Sequence, residues 1–425
     1  MNGHNRVSYS SPKGLVSDCC NGLMPEDVEN KMKILMVAPT PFFADRGMHI
    51  RIFEEARALV RRGHEVKIAT YHNGNDIPMD ENPGIDVRRI RRLLFWYRKL
   101  EAGPDWQKLM LDILLVRKTY TLSREFRPDI IHAHNHEGVA VAWVALFMLR
   151  LHGQRPKLLA DFQGSLTREM VSHAYLRGSW IRGIFRAVET WINDMSDAAV
   201  ASSWTSAEEI STIRKSGVVE TVLDGARDLV PLSLEERTRF KIGHGIDADA
   251  TVATYTGAFI PNKGVEILVS AIPIALRSDP KLHFILAGFP RDLLDPILSK
   301  YGVTSHVTVV SPLSYFSIGD VLGMSDLTID PKHDDTGQAS GKMIQYLAAG
   351  LPVVCFDTPN NRHYLGDDGT YAAEKTSDSL AEAIVTLARN RESWDHIGRA
   401  NRIRAAEFTW DKTGEKLEEV YRSML

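Results

Sequence analysis

Lysine and glycine meet at the start of a helical pattern in Ser340-Gly341-Lys342, and the chemistry that suits them is the binding of a diphosphate. Small and polar residues end at Ser340-Gly341. Lys342 to Ala349 then has helical spacing, Gly350 is placed to cap it, and Pro352-Val353-Val354-Cys355-Phe356 begins a buried strand. Such a helix opens with free backbone N–H groups, little side-chain bulk and a cation. Gln345 lies one turn further in, on the face near Gly341. An ordinary loop–helix–strand unit has the same pattern. A P-loop does not: it has four residues between its first glycine and Gly-Lys, whereas three separate Gly337 from Gly341 here, and Met343 replaces the Ser or Thr. No GxGxxG follows a strand, which argues against a dehydrogenase-type dinucleotide site.

Other chemistry-bearing residues follow strand-like runs. In Thr256-Gly257-Ala258-Phe259-Ile260-Pro261-Asn262-Lys263-Gly264, Lys263 suits a phosphate as a point charge, or a plain solvated surface. Asp45-Arg46-Gly47 lets backbone approach a ligand, or makes a simple βα turn. Asp161-Phe162-Gln163-Gly164-Ser165 offers polar groups beside a glycine. His132, His134 and His136 are open to a metal, to a hydrogen bond with a sugar hydroxyl, or to polar packing. With no clear carboxylate or cysteine partner in the sequence, hydrogen bonding is preferred to metal.

The elements that must position these residues alternate along the chain. Strands are expected at 33–38, 65–70, 85–90, 129–133, 157–162, 197–202 and 220–223, with helices at 48–62, 105–126, 137–150, 178–194 and 204–215. The pattern weakens between Asp228 and Ala250, read as a linker. It restarts with strands at 251–257, 282–287, 306–310, 327–330 and 352–356 and helices at 263–277, 290–300, 316–323, 341–349 and 377–391. A last helix spans Asp411 to Leu425. The class is α/β, with two doubly wound halves and a ligand cleft between them.

Composition agrees with a soluble globular chain. It has 425 residues, 44% hydrophobic and 25% charged, with a net charge of −3, which gives no reason to expect nucleic acid. Three cysteines, Cys19, Cys20 and Cys355, are too few for a disulfide framework, and a cytoplasmic setting is expected. No run is long and apolar enough to span a bilayer, and residues 1–31 read as a mobile tail without a signal-peptide core. The run Arg88 to Lys99 mixes cations with apolar and aromatic residues. It fits an anionic membrane interface, such as the inner face of a membrane, or a basic solvated face.

Together, Lys33 to Pro39, Gly47 to Val66, Asp129 to His134, Thr256 to Gly264, Lys342 to Val354 and Phe408-Thr409-Trp410 with Tyr421 resemble the ordered landmarks of the family 4 group of GT-B glycosyltransferases. The resemblance covers about residues 32–425. It implies two Rossmann-like domains facing a central cleft: an acceptor domain at 32–226 with the C-terminal helix 409–425, and a nucleotide-sugar domain at 227–408. By resemblance, Lys263 contacts the donor diphosphate, Gln345 holds its ribose, and His134 stands near the donor sugar. Gly47 faces the diphosphate, and Leu313 lies where backbone meets the base. Ser340, Gly341 and Lys342 match a subset of the family with a small-residue Gly-Lys segment.

The sequence also departs from the family pattern. Gly337 and Gln345 stand where the family has its two glutamates, and Ala258 where it has an arginine, a loss for which Arg46 is a candidate substitute. The resemblance implies retaining, metal-independent transfer of a hexosyl unit from a nucleotide sugar, without a cofactor, to a hydroxyl of a glycan, a lipid-linked acceptor or a small molecule, as in polysaccharide biosynthesis. An inactive binding subunit and a sugar-nucleotide epimerase of similar fold remain alternatives.

Overall fold

Short aliphatic runs, buried on both faces, make the strands of two parallel sheets. The computed structural model describes residues 31–93, 96–97, 106–172, 178–229, 232–332 and 339–425. The expectations for residues 1–30 with Cys19 and Cys20, and for Gly337, lie outside these. The first sheet contains β1 (Lys33–Ala38), β2 (Glu65–Thr70), β3 (Asp86–Arg89), β4 (Ile130–His134), β5 (Lys157–Phe162), β6 (Ala198–Ala201) and β7 (Val219–Thr221). Their order is β3-β2-β1-β4-β5-β6-β7. The second contains β8 (Thr251–Ala258), β9 (Leu282–Phe289), β10 (Val307–Val310), β11 (Leu327–Asp330), β12 (Val353–Phe356) and β13 (Thr370–Ala372), in the order β10-β9-β8-β11-β12-β13.

The order of connection reverses between β1 and β4 and again between β8 and β11. Parallel sheets leave a crevice beyond the strand ends at such a point. Ile34 pairs with Ile130 and Val37 with Ala133; Leu327 pairs with Ala253. His134 ends β4, and the segments that follow the other three strands lead to Gly47, Lys263 and Ser340.

Helices cover both faces of the first sheet. On one side Leu111, Leu115, Val139, Ala142, Leu146 and Ile192 share a core with Leu35 and Val37. On the other, Ile52, Phe53 and Leu59 of the helix Gly47–Arg61 pack with Leu417, Val420 and Tyr421 of the helix Trp410–Met424. The two helices touch closely. A Cβ on Gly414 would stand 2.8 Å from the Ala58 Cβ, and Arg62 donates to Glu418 at 2.6 Å.

The segment read as a linker carries a helix, Leu234–Gly243. Ser233 and Glu236 form a reciprocal capping box at its start, which offsets the breaking tendency of the nearby glycines. Helices Leu166–Ser172, Pro359–Leu365 and Trp394–Ala405, and strand β13, also go beyond the expected elements.

The basic run begins within β3, and its first two arginines are engaged with the protein. Arg88 pairs with Asp86 at 2.7 Å, and Arg89 donates to the carbonyls of Phe42, Asn73 and Asn75. Ile90 and Tyr97 are buried, and 94–95 and 98–99 lie outside the described residues. Among the described residues, no helix is long and apolar enough to cross a membrane.

Candidate active site

The loops at the two reversal points enclose a cavity of about 580 Å³. Gly47, Lys263, Leu313, Ser340, Gly341, Lys342 and Gln345 all line it. Two helices, Gly47–Arg61 and Gly341–Ala348, begin at its wall. Their unpaired N–H groups and positive dipole ends make the region receptive to an anion. A Cβ on Gly47 would meet nothing within 4 Å, so that wall is open space.

The two lysines are held differently. Lys342 Nζ lies 3.0 Å from Asp330 Oδ1 and 4.3 Å from the centre of the Tyr255 ring. Ser340 Oγ donates to the other Asp330 oxygen at 2.6 Å. Burial pushes the Asp330 carboxyl up, but the Lys342 charge and the hydrogen bonds from Ser340 and Lys342 outweigh it and hold the group below its ordinary value. Asp330 is therefore ionised at neutral pH and fixes both residues at the helix entrance. Lys263 ends a 3₁₀ turn, followed by Gly264 at φ +75°. A Cβ on Gly264 would fall 1.8 Å from the Pro331 carbonyl oxygen, so only glycine lets this loop lie against the end of β11.

Side chains of the first half reach onto the second beside the cavity. Asp45 accepts from the Tyr315 amide at 2.7 Å, and the Tyr315 hydroxyl donates to Glu54 at 2.9 Å. The Arg46 guanidinium lies over the Phe289 ring, 5.2 Å from its centre. Arg46 lines the cavity, as its suggested part in place of an arginine at Ala258 requires.

Two expected ligands are held by other parts of the protein. Gln345 reaches the cavity, but its oxygen accepts from the Arg227 amide at 3.3 Å and its nitrogen donates to the Gly225 carbonyl at 3.5 Å. Its amide braces the chain at 225–227 while the residue still lines the cavity. His134 does not line the cavity and is completely buried. Its Nδ1 is 3.0 Å from Asp161 Oδ2, and its ring stacks on His132 with centres 4.4 Å apart. His134 thus lies behind the residues that line the cavity. His136, two residues on, lines the cavity with Asn135 and Glu137. Burial, partly opposed by Glu189, holds the His136 imidazole down to about 4, so it is neutral at pH 7.

Beneath the cavity lies a polar network that the sequence did not reveal. Arg51 bonds Asp161 at 2.8 Å, Glu55 at 2.9 Å and Asp224 at 2.7 Å. Asp224 lines the cavity, so this network reaches the site. Burial raises the Asp161 carboxyl, but Arg51 and His134 outweigh that and hold it well below the ordinary range. The carboxylate partners missing near the histidines in sequence thus arrive from β5 and the helix Gly47–Arg61. Ligand atoms of Glu55, His132, His134 and Asp161 lie within 4.8 Å of one another, a spacing that fits a metal ion. Arg51 already supplies a positive charge to both carboxylates, and it would repel a second cation.

Comparison with known proteins adds a lineage to this geometry. Residues 46–221 match the family model described as Glycosyl transferase 4-like domain, and residues 250–390 match the one described as Glycosyl transferases group 1. The D-inositol 3-phosphate glycosyltransferase of Streptosporangium roseum is 24% identical over 405 residues, 88% of each chain. In fold, sucrose-phosphate synthase from Thermosynechococcus elongatus is similar with a TM-score of 0.75 at 17% identity, over 93% of this chain and 99% of that one. Anabaena Alr3699/HepE, solved with UDP and glucose, is similar with a TM-score of 0.73 at 17% identity, over 92% of this chain and 100% of that one.

Proposed function

This chain belongs to the group 1 glycosyltransferases of the GT-B type, and from that premise we propose that it transfers a hexosyl unit from a nucleotide diphosphate sugar to an acceptor hydroxyl with retention of configuration. One observation carries this reading: two helix N-termini, one of them bearing Lys342, and Lys263 from a separate turn converge on a single cavity. The diphosphate is placed between Gly47 and Gly341. As the bond from the anomeric carbon to the phosphate oxygen breaks, negative charge grows on the leaving group. Lys263, Lys342 and the amides near Gly341 stabilise that charge, so the metal-independent reading places no metal there.

The acceptor oxygen then bonds the anomeric carbon on the face the phosphate has left. Its proton passes to the leaving phosphate oxygen, so no side-chain base is required. Neutral His136 supplies the hydrogen bond to the sugar side that His134 is too buried to make, and Arg51 fixes Asp224 in the cavity wall. The fold neighbour HepE was solved with UDP and with UDP-glucose, so UDP-hexoses are the first donors to test.

Calorimetry with UDP- and GDP-sugars should show binding of at least one, and nuclear magnetic resonance of the product should show the donor's anomeric configuration. Lys263→Ala should lower kcat by roughly 10²-fold or more with an unchanged circular dichroism spectrum. An inverted product would defeat the mechanism. Binding of no nucleotide sugar would favour a non-catalytic binding subunit, the reading that the engaged Gln345 and Ala258 support.

A further inference from the structure

The helix Ser179–Asn193 carries its apolar stripe outward. Trp180, Ile184, Val188 and Trp191 recur every three or four residues on one face, and Trp180 and Trp191 are 70% and 61% exposed. The residues that the helix buries are Glu189, Ile192 and Asn193. An amphipathic helix packed this way has its ordinary logic reversed.

Two neighbouring helices extend the surface. Trp106, Leu109, Met110 and Ile113 are exposed on the helix Trp106–Phe126. Val144, Phe147 and Met148 are exposed on the helix Asn135–Arg150, and Leu151 just beyond it. The three helices cover the same side of the first sheet and share one core. Lys108 pairs with Glu137 at 2.6 Å, and the Trp143 and Trp191 rings stand 6.2 Å apart. Such a concentration of apolar groups exceeds the scattered residues that solvent-facing surfaces normally carry.

The exposed charges on these helices are mainly cationic. Arg182 and Arg186 are exposed beside the stripe, and Arg117, Arg124 and Arg150 are exposed on the adjoining helices. Most acids of these helices are engaged elsewhere. Asp112 accepts from the Tyr71 hydroxyl, Glu137 pairs with Lys108, and Glu189 accepts from the Leu166 and Thr167 amides. Tryptophan, aliphatic side chains and arginine exposed together on adjoining helices are the chemistry of a bilayer interface carrying anionic headgroups. A second copy docked through the same face would set its own excess of cations against this one.

We propose that this three-helix face seats the protein on an anionic lipid surface. Its docking groups lie on these three helices, whereas the first two arginines of the run Arg88 to Lys99 are bonded within the protein. The face also has a direct relation to the cavity. Lys108 and Glu137, from two of its helices, line the cavity from the inside, as do Leu166 and Met170 of the helix capped by Glu189. Seated this way, the protein holds one wall of its cavity close to the lipid.

The test is co-sedimentation of the full chain with vesicles of phosphatidylcholine alone and of phosphatidylcholine mixed with phosphatidylglycerol. The full chain should bind the mixed vesicles much more strongly. Combined Trp180→Ser, Ile184→Ser and Trp191→Ser should reduce that binding about tenfold or more, and Arg182→Gln with Arg186→Gln should reduce the preference for the anionic lipid. Failure to bind the mixed vesicles, or equal binding by parent and variants, would overturn the proposal. So would a concentration-dependent dimer that the serine variant abolishes, which would make the face a self-interface. Calorimetry with UDP on the same preparations separates the two readings. UDP binding without vesicle binding defeats only the docking surface, and vesicle binding without UDP binding leaves docking intact and counts against the donor site.

Discussion

Arg51 shows how far a single residue can depend on distant ones. Its guanidinium is surrounded by Asp161, Glu55 and Asp224, and Asp161 stands 110 positions away in the chain. Removing one partner leaves a buried charge with less compensation. Asp161→Asn should therefore lower unfolding stability by about 3–5 kcal/mol in urea titration. A loss under about 1 kcal/mol would mean that the remaining carboxylates suffice. The same distance explains what sequence could reveal here. Lys263, Lys342 and Gly341 stood out because their role depends on local context, a cation or glycine at a helix start. The burial of His134 was hidden because it depends on Arg51 and Asp161, which arrive from other elements. Nor did any local signal show that Gln345 would brace the chain at 225–227.

Among the elements, legibility followed length and burial. Strands such as Lys33–Ala38 and Leu282–Phe289 are continuous apolar runs, so their pattern is unmistakable. Strand Thr370–Ala372 has three residues, too few for any period to show. The helix Leu234–Gly243 sits among glycines and a proline, yet its capping box was present in the sequence as Ser233 and Glu236. The loop before Val265 rests on Gly264, whose φ of +75° and proximity to Pro331 exclude a side chain. Gly264→Ala should cost about 1–3 kcal/mol in thermal unfolding and should also lower turnover, since Lys263 precedes it. Unchanged melting would show that the loop relaxes freely.

At the scale of the whole molecule, buried imidazoles set the response to acid. Burial and the charge of Arg46 hold His49 down to about 3, against an ordinary 6.5. Between these values the unfolded chain binds the extra proton, so the stability contributed by neutral His49 is full above about 6.5 and is lost as pH falls toward about 3. Asp112, pushed up to about 6 by burial, acts in the opposite sense below that value, because the folded state then holds its proton more tightly. Urea midpoints should fall between pH 7 and pH 5, and His49→Gln should fall less, by roughly 2 kcal/mol in the extrapolated free energies. Parallel declines in the two proteins would show that His49 is not the neutral group.

The packing of the helix Trp410–Met424 onto the helix Gly47–Arg61 has a consequence for biosynthesis. Arg62 and Glu418, which meet across that contact, are 356 positions apart. At about 5–20 residues per second, a ribosome needs roughly 20–70 s to travel between them. Throughout that interval the nascent first half has a greasy flank around Ile52, Phe53 and Leu59 with its natural cover still untranslated. A chaperone able to shield that flank would find its client there, and a premature stop before Trp410 would leave the flank bare for the life of the chain.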